Sequence, residues 1–218
     1  MKNISGKFIS IEGQDGAGKT TNLEFICDQL ALKSIDFIVT REPGGTPLGE
    51  AVRDILLNRN ELTITAISEL LLMFAARAQH LENIIEPALI KGKWVVCDRF
   101  TDASFAYQGG GHGVDHNIIA TIAKIVQKER VPDLTLLLDV DIETGESRVN
   151  TRNEQKDRYE QQKFDFKSRV RDTYLQLAEN EPNRIKLIDA SNAINAVKSQ
   201  IEQELSRFIS VHNSSILT

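Results

Sequence analysis

Residues Gly13 to Thr21 read G-Q-D-G-A-G-K-T-T, which sets Gly13, Gly18, Lys19 and Thr20 at the spacing G-x-x-x-x-G-K-[ST]. Upstream, Phe8, Ile9 and Ile11 make a short β-prone run; downstream, Leu23, Ile26, Cys27, Leu30 and Ala31 recur at helical spacing. Strand, glycine loop and helix together are the setting in which such a loop holds phosphate. The glycines let the chain turn tightly and aim backbone N–H groups at an anion, and the helix N-terminus adds partial positive charge at the same spot. Lys19 can then reach the outer phosphates, and the Thr20 hydroxyl can hold Mg²⁺. A chance glycine turn gives this spacing in fewer than ~1% of chains of this length. The stretch therefore predicts nucleotide phosphate binding by Gly13, Gln14, Asp15, Gly16, Ala17, Gly18, Lys19, Thr20 and Thr21.

Around that loop, 218 residues with 41% hydrophobic and 26% charged side chains suit one soluble α/β domain over 1–218. A net charge of −5 argues against a nucleic-acid or membrane-surface partner, which calls for a basic face. The two cysteines, Cys27 and Cys97, sit in apolar runs without metal-ligand spacing and read as reduced core residues. The opening MKNISGKF lacks an apolar signal region, and no stretch approaches ~18 uninterrupted apolar residues, so a cytoplasmic protein is expected.

Apolar, β-branched runs recur at Phe8 to Ile11, Phe37 to Thr40, Trp94 to Cys97, Leu134 to Leu138 and Ile185 to Ile188, with helical patterns between them. Five strands alternating with helices predict a parallel sheet covered on both faces, with ligands beyond the carboxyl ends of the strands. Arg41 and Glu42 follow the second strand in a Gly-rich loop; Asp98 and Arg99 follow the third. An acid at Asp98 can hold Mg²⁺ or its water, and the Arg99 fork can span two phosphate oxygens. In the helix after Thr46-Pro47, Arg53 falls off the apolar stripe and reads by itself as a solvated side chain.

The run Leu70 to Ala76 is apolar on nearly every face, which predicts burial against both the sheet and a second subunit, hence a homodimer through this helix. Arg77 ends that run and needs an acceptor, a structural carboxylate or a ligand carbonyl. Ser104, Tyr107 and Gln108 share one segment rich in hydrogen-bonding groups, which Gly109 to Gly111 end as a flexible loop. His112 and His116 lack the further ligands of a metal site and are expected in solvent. From Glu146 to Asp172 eight basic side chains stand against six acids, a polar pattern without a core stripe that suits a small helical lid, about 146–165, in phosphoryl transfer.

With the phosphate loop, T-R-E-P-G-G-T from Thr40 to Thr46, Asp98-Arg99 and A-Y-Q-G-G-G from Ala106 to Gly111, the sequence resembles the bacterial thymidylate kinases (dTMP kinases) of the P-loop nucleoside monophosphate kinase superfamily. The resemblance implies ATP and dTMP as substrates, with Mg²⁺ accompanying ATP. It implies that Asp15 engages the sugar 3′-hydroxyl. Because Gly16 follows Asp15, where some members carry arginine, it also implies a catalytic arginine in the lid, Arg152 or Arg158, with Arg148 the next candidate on the ATP side. Lys19 and Arg99 complete the catalytic set. Arg41, Arg53 and Arg99 would contact the dTMP phosphate or its surroundings, Arg77 and Gln108 the thymine edge, Tyr107 the sugar face, and Ser104 the base pocket, with Glu42 also in the dTMP site. The family's base-stacking phenylalanine position is Met73 here, four before Arg77, with Phe74 three before it; both spacings share a helix face.

A phosphomonoester acceptor, with a second pKa of about 6, is already dianionic near neutrality and needs no general base. Charge neutralisation and in-line alignment remain as the requirements. A kinase for another nucleotide or a nucleoside is the near rival, with Glu42 as its potential base. A P-loop GTPase switch or regulatory ATPase is the distant one, and no N-K-x-D guanine-reading motif occurs in the chain.

Overall fold

The computed structural model describes residues 6–59, 61–151 and 157–214. All five expected runs are strands: β1 (Phe8–Glu12), β2 (Phe37–Arg41), β3 (Trp94–Asp98), β4 (Leu134–Asp139) and β5 (Ile185–Asp189). Each runs one residue beyond its apolar stretch, onto Glu12, Arg41, Asp98, Asp139 or Asp189, so a charged side chain closes every strand at the same edge. The sheet is parallel throughout, in the order β2-β3-β1-β4-β5, with β1 central and buried along its length.

The pleat of β1 sorts its side chains. Ile9 and Ile11 join Ile26 and Leu30 of α1 (Lys19–Leu32) and Val197, Ile201 and Leu205 of α9 (Ile194–Ser214) on one face. Each such side chain, taken wholly out of water, contributes about 1.5–3 kcal/mol. Phe8, Ser10 and Glu12 point to the other face, where Phe8 meets Leu81, Ile85 and Leu89. These three belong to a π-helical turn, Leu81–Ile85, and to α4 (Glu86–Ile90), which continue the line of α3 (Ala66–His80).

Helix α2 (Pro47–Leu57) starts as its sequence suggests, with Thr46 accepting from Gly49 N–H at 3.0 Å and Pro47 at the first helical position. Its Val52 and Leu56 pack on Met73 and Ala76 of α3. On the far side, Leu70 and Phe74 meet Ile119 of α6 (His116–Gln127). Helix α3 is therefore buried between α2 and α6, and it reaches the sheet through His80, whose Nε2 lies 2.6 Å from Thr40 Oγ1 of β2.

Two expectations give way here. The segment after β3 is helical throughout, as α5 (Thr101–Ser104) and a π-helical stretch, Phe105–Gly111. The glycine triplet is no flexible loop: α8 (Phe164–Asn180) packs on it so closely that a Cβ at Gly110 would collide with Thr173 and one at Gly111 with Phe166. The charged run from Glu146 to Asp172 does carry a core stripe, because Phe166 and Val170, continued by Tyr174, recur every fourth residue on the buried face of α8. The acidic and basic residues between them concealed that periodicity. Helix α7 (Ile142–Asn150) precedes it. Among the described residues no helix is long and apolar enough to cross a membrane.

Candidate active site

The loop after β1 takes the conformation its glycines allow, with Gly13 at φ 136° and Gly16 at φ 80°. A Cβ at Gly16 would also collide with the Gly145 carbonyl of α7, so no arginine fits after Asp15 in this arrangement. Lys19 lies against the loop it belongs to, donating to the carbonyls of Gly13 at 3.0 Å and Gln14 at 3.1 Å. Burial, then the neighbouring Arg99, push its pKa below the ordinary lysine value, against the opposing pull of Asp15 and Asp98.

Arg99, at φ 68° just beyond β3, ties the strand ends to this loop. Its guanidinium donates to the Gly13 carbonyl and to Asp15 Oδ1, each at 2.8 Å, and sits 4.8 Å from the centre of the Tyr107 ring. The rare backbone conformation is held by Glu12, which accepts from Phe100 N–H at 2.6 Å and from the Tyr174 hydroxyl at 2.7 Å. Burial, then the charge of Asp102, push the Glu12 carboxyl up to about 8.

Lys19, Asp15, Thr20, Arg53, Asp98 and Arg99 open onto one cleft. Met73, Tyr107, Gln108, Glu42, Pro43, Asp157, Tyr159 and Glu160 line the same cleft. Cationic side chains beside apolar and amide-bearing ones in one cleft suit a nucleotide rather than a bare phosphate.

The matches to known proteins agree with that geometry. The family model described as thymidylate kinase matches residues 11–201. The chain belongs to the thymidylate kinase family. A thymidylate kinase of Chromohalobacter salexigens is 50% identical over 201 residues, covering 92% of this chain and 95% of the relative. One from Ruthia magnifica is also 50% identical, over 197 residues that cover 90% and 96%. A crystal structure of thymidylate kinase from Ehrlichia chaffeensis superposes with a TM-score of 0.75 at 34% identity, over 93% of this chain and 99% of that one. As a thymidylate kinase, the protein is a nucleoside monophosphate kinase that phosphorylates dTMP.

The other expected site residues divide into those in the cleft and those behind it. Arg77 is fully buried, donating through Nε to Glu42 at 2.6 Å, through NH1 to Ser104 at 3.1 Å and through NH2 to the Phe100 carbonyl at 3.1 Å. The structural carboxylate is thus its partner. Glu42 has its second oxygen 2.9 Å from His80 Nδ1. Phe74 lies under the Arg77 guanidinium at 4.6 Å and is 2% exposed, so Met73 rather than Phe74 reaches the cleft wall. Arg41 faces solvent in an ion pair with Glu50 at 2.9 Å, and Arg53 donates to the Pro43 carbonyl at 3.1 Å. Arg148 reaches the phosphate loop, 3.4 Å from the Gly16 carbonyl. Arg158 instead turns to Glu69 Oε2 at 3.1 Å, and Arg152 lies outside the described residues.

Sequence reading missed Glu12, Glu69 and Tyr159, all of which face functional groups. Glu69 had a signal: it sits four residues before Met73 and eight before Arg77, an acid on the buried face of an apolar helix. His112, expected in solvent beside His116, is half-buried with Nε2 3.3 Å from Glu69 Oε1.

Proposed function

We propose that the cleft carries out in-line transfer of the γ-phosphoryl group of ATP to dTMP, giving ADP and dTDP. The observation that carries the reading is the convergence of Lys19, Asp15, Arg53, Arg99 and Gln108 on one cleft. Gly13 to Thr21 cradle the ATP phosphates, and Lys19 supplies charge to the transferred group. Arg99 is already anchored by the Gly13 carbonyl, so its fork meets the phosphates without a search over rotamers. Arg53 flanks the acceptor phosphate, Asp15 takes the sugar 3′-hydroxyl, and Arg41, paired with Glu50 in solvent, stands outside the cleft. Gln108 addresses the thymine edge, while Arg77, expected there as well, stands behind the cleft wall, held by Glu42 and Ser104. Tyr107 covers the sugar face.

The residues suit Mg²⁺ as well. Asp98 Oδ1 is buried with no hydrogen-bond partner among the described residues, and Thr20 lines the same cleft. When bound there, Mg²⁺ neutralises phosphate charge. The lid, about 146–165, brings Arg152 to the transferred group, or Arg158 once its ion pair with Glu69 opens, with Arg148 beside the loop. Glu42, with both oxygens engaged by Arg77 and His80, is a brace for the pocket and a poor general base, which disfavours a nucleoside acceptor.

The protein acts as a homodimer through α3. Ile67 and Leu71 on this helix, 45% and 51% exposed, and Ile118 and Ile125 on the adjoining α6, 44% and 73% exposed, form an apolar face that a second copy would cover. Both cysteines are free thiols, which fits the reducing cytoplasm. A coupled ADP-release assay over nucleosides and monophosphates tests the reading: dTMP should be turned over best, dUMP less well, and dCMP very poorly. Equal turnover of dCMP and dTMP rejects it.

A further inference from the structure

Glu69 has a side chain with no exposed surface, yet it is an acid in the first turn of an otherwise apolar stretch of α3. A buried carboxylate persists only where a donor or opposite charge offsets its burial, and both are at hand here. Gln108 Nε2 donates to Oε1 at 2.8 Å, the one side-chain hydrogen bond to this carboxylate that aligns, while His112 Nε2 at 3.3 Å from Oε1 and Arg158 NH2 at 3.1 Å from Oε2 act as nearby charges, with Oε2 left without an aligned donor among the described residues. Burial alone would raise the Glu69 pKa, but the contacts with His112, Gln108 and Tyr159 hold it below the usual range, so the group is an anion.

An ionised carboxylate only accepts hydrogen bonds. Of the two ends of the Gln108 amide, the NH₂ must therefore face Glu69, because the flipped amide would set its oxygen against an anion. Gln108 Oε1 is then directed away from α3, and it is buried with no donor reaching it from the described residues. Gln108 itself is 1% exposed and lines the nucleotide cleft. A buried acceptor without a donor is satisfied by a ligand that brings one. Thymine brings N3–H; cytosine brings a lone pair at N3.

We propose that Glu69 is a positioning residue for base selection: it locks the Gln108 amide with its oxygen toward the base, so that the cleft accepts an N3–H edge and refuses an N3 lone pair. This rests on the reading of the cleft as a dTMP site, and it deepens that reading, since Glu69 does not line the cleft itself. The alternative is that Glu69 merely anchors Arg158 and His112 and braces α3.

Glu69→Gln separates the two, because the amide it introduces can pair with either orientation of Gln108. Binding of dTMP and of its 3-deaza analogue, in which C–H replaces N3–H, is measured by calorimetry on wild type and variant, with thermal melting as the check on folding. Wild type should prefer dTMP by about tenfold or more, and the variant should lose most of that preference, to within about threefold. If both ligands weaken equally, so that the wild-type ratio is kept, Glu69 is a brace and the proposal fails. If wild type binds the two ligands equally, Gln108 does not read N3–H, and the proposal fails together with the base-site reading. Where the variant does not fold, side-chain amide NMR of wild type with bound dTMP decides. Nuclear Overhauser contacts from the Gln108 NH₂ to α3 protons support the lock; contacts from that NH₂ to the base overturn it.

Discussion

Met73 and Phe74 are neighbours on one helix face, and the structure gives them different jobs that two substitutions can separate. The Phe74 ring is buried among Leu70, Val114 and Ile119 with the Arg77 guanidinium over it, so its loss is first a loss of core. A buried Phe→Ala change costs about 3–5 kcal/mol. For a chain of this length about 1 kcal/mol moves Tm by ~2–4 °C, so Phe74→Ala should melt roughly 6–20 °C lower. Phe74→Leu, which retains most of the apolar volume, should melt closer to wild type and bind dTMP within about twofold of it, since the ring does not reach the cleft. Met73 lines the cleft at 7% exposure. A thioether against a base ring is worth ~0.3–1.5 kcal/mol, so Met73→Ala should weaken dTMP roughly 2- to 12-fold. Its packing on Val52 and Leu56 adds a stability loss, which makes affinity rather than Tm the deciding quantity. Calorimetric titration of dTMP into each variant is the assay. A Phe74→Leu protein that melts normally but binds dTMP tenfold more weakly, beside a Met73→Ala protein that binds like wild type, would refute this assignment of roles.

Lys19→Ala should abolish phosphoryl transfer with little change in Tm, because Lys19 Nζ contacts loop carbonyls rather than core; near-normal ADP release by the folded variant contradicts its role. Arg152→Ala or Arg158→Ala should lower kcat by ~10³-fold or more with a much smaller change in KM for dTMP, as expected for a group acting on transition-state charge. Wild-type kcat in both directs attention to Arg148. Glu12 should leave a mark on stability against pH. Its folded pKa of about 8 lies above the ordinary 4.5, so the stability it contributes is whole below about pH 4.5, declines as pH rises and is gone above about 8. Chemical unfolding of wild type and Glu12→Gln across that range should show wild type losing stability relative to the variant, by up to about 1.4 kcal/mol per pH unit. A difference that does not move with pH means that Glu12 is ionised throughout.

The strands and the phosphate loop were legible because their signals are local: β-branched runs, glycine spacing and a helical period all lie within a few residues of one another. Non-local packing was harder to read. Gly109 to Gly111 look like punctuation in the chain, yet their missing side chains make room for Thr173 and Phe166, some sixty residues further on. The same limit hid the difference between Met73 and Phe74, since helix phase says that both face inward but not that Arg77 lies over one of them. Arg77 itself shows how a site is layered. Its charge is met by Glu42, Glu42 is shared with His80, and His80 is fixed by Thr40 at the end of β2. Such a chain of buried polar partners carries no periodicity and leaves isolated charged letters in apolar runs. Glu12 in a strand, Glu69 in α3 and Arg77 at its end are those letters. Burying an unpaired charge costs several kcal/mol, so an acid or arginine whose spacing places it inward implies a partner elsewhere in the chain. Applied to α3, that rule directs the search from Glu69 to the donors of the Phe105–Gly111 stretch, where Gln108 donates to it.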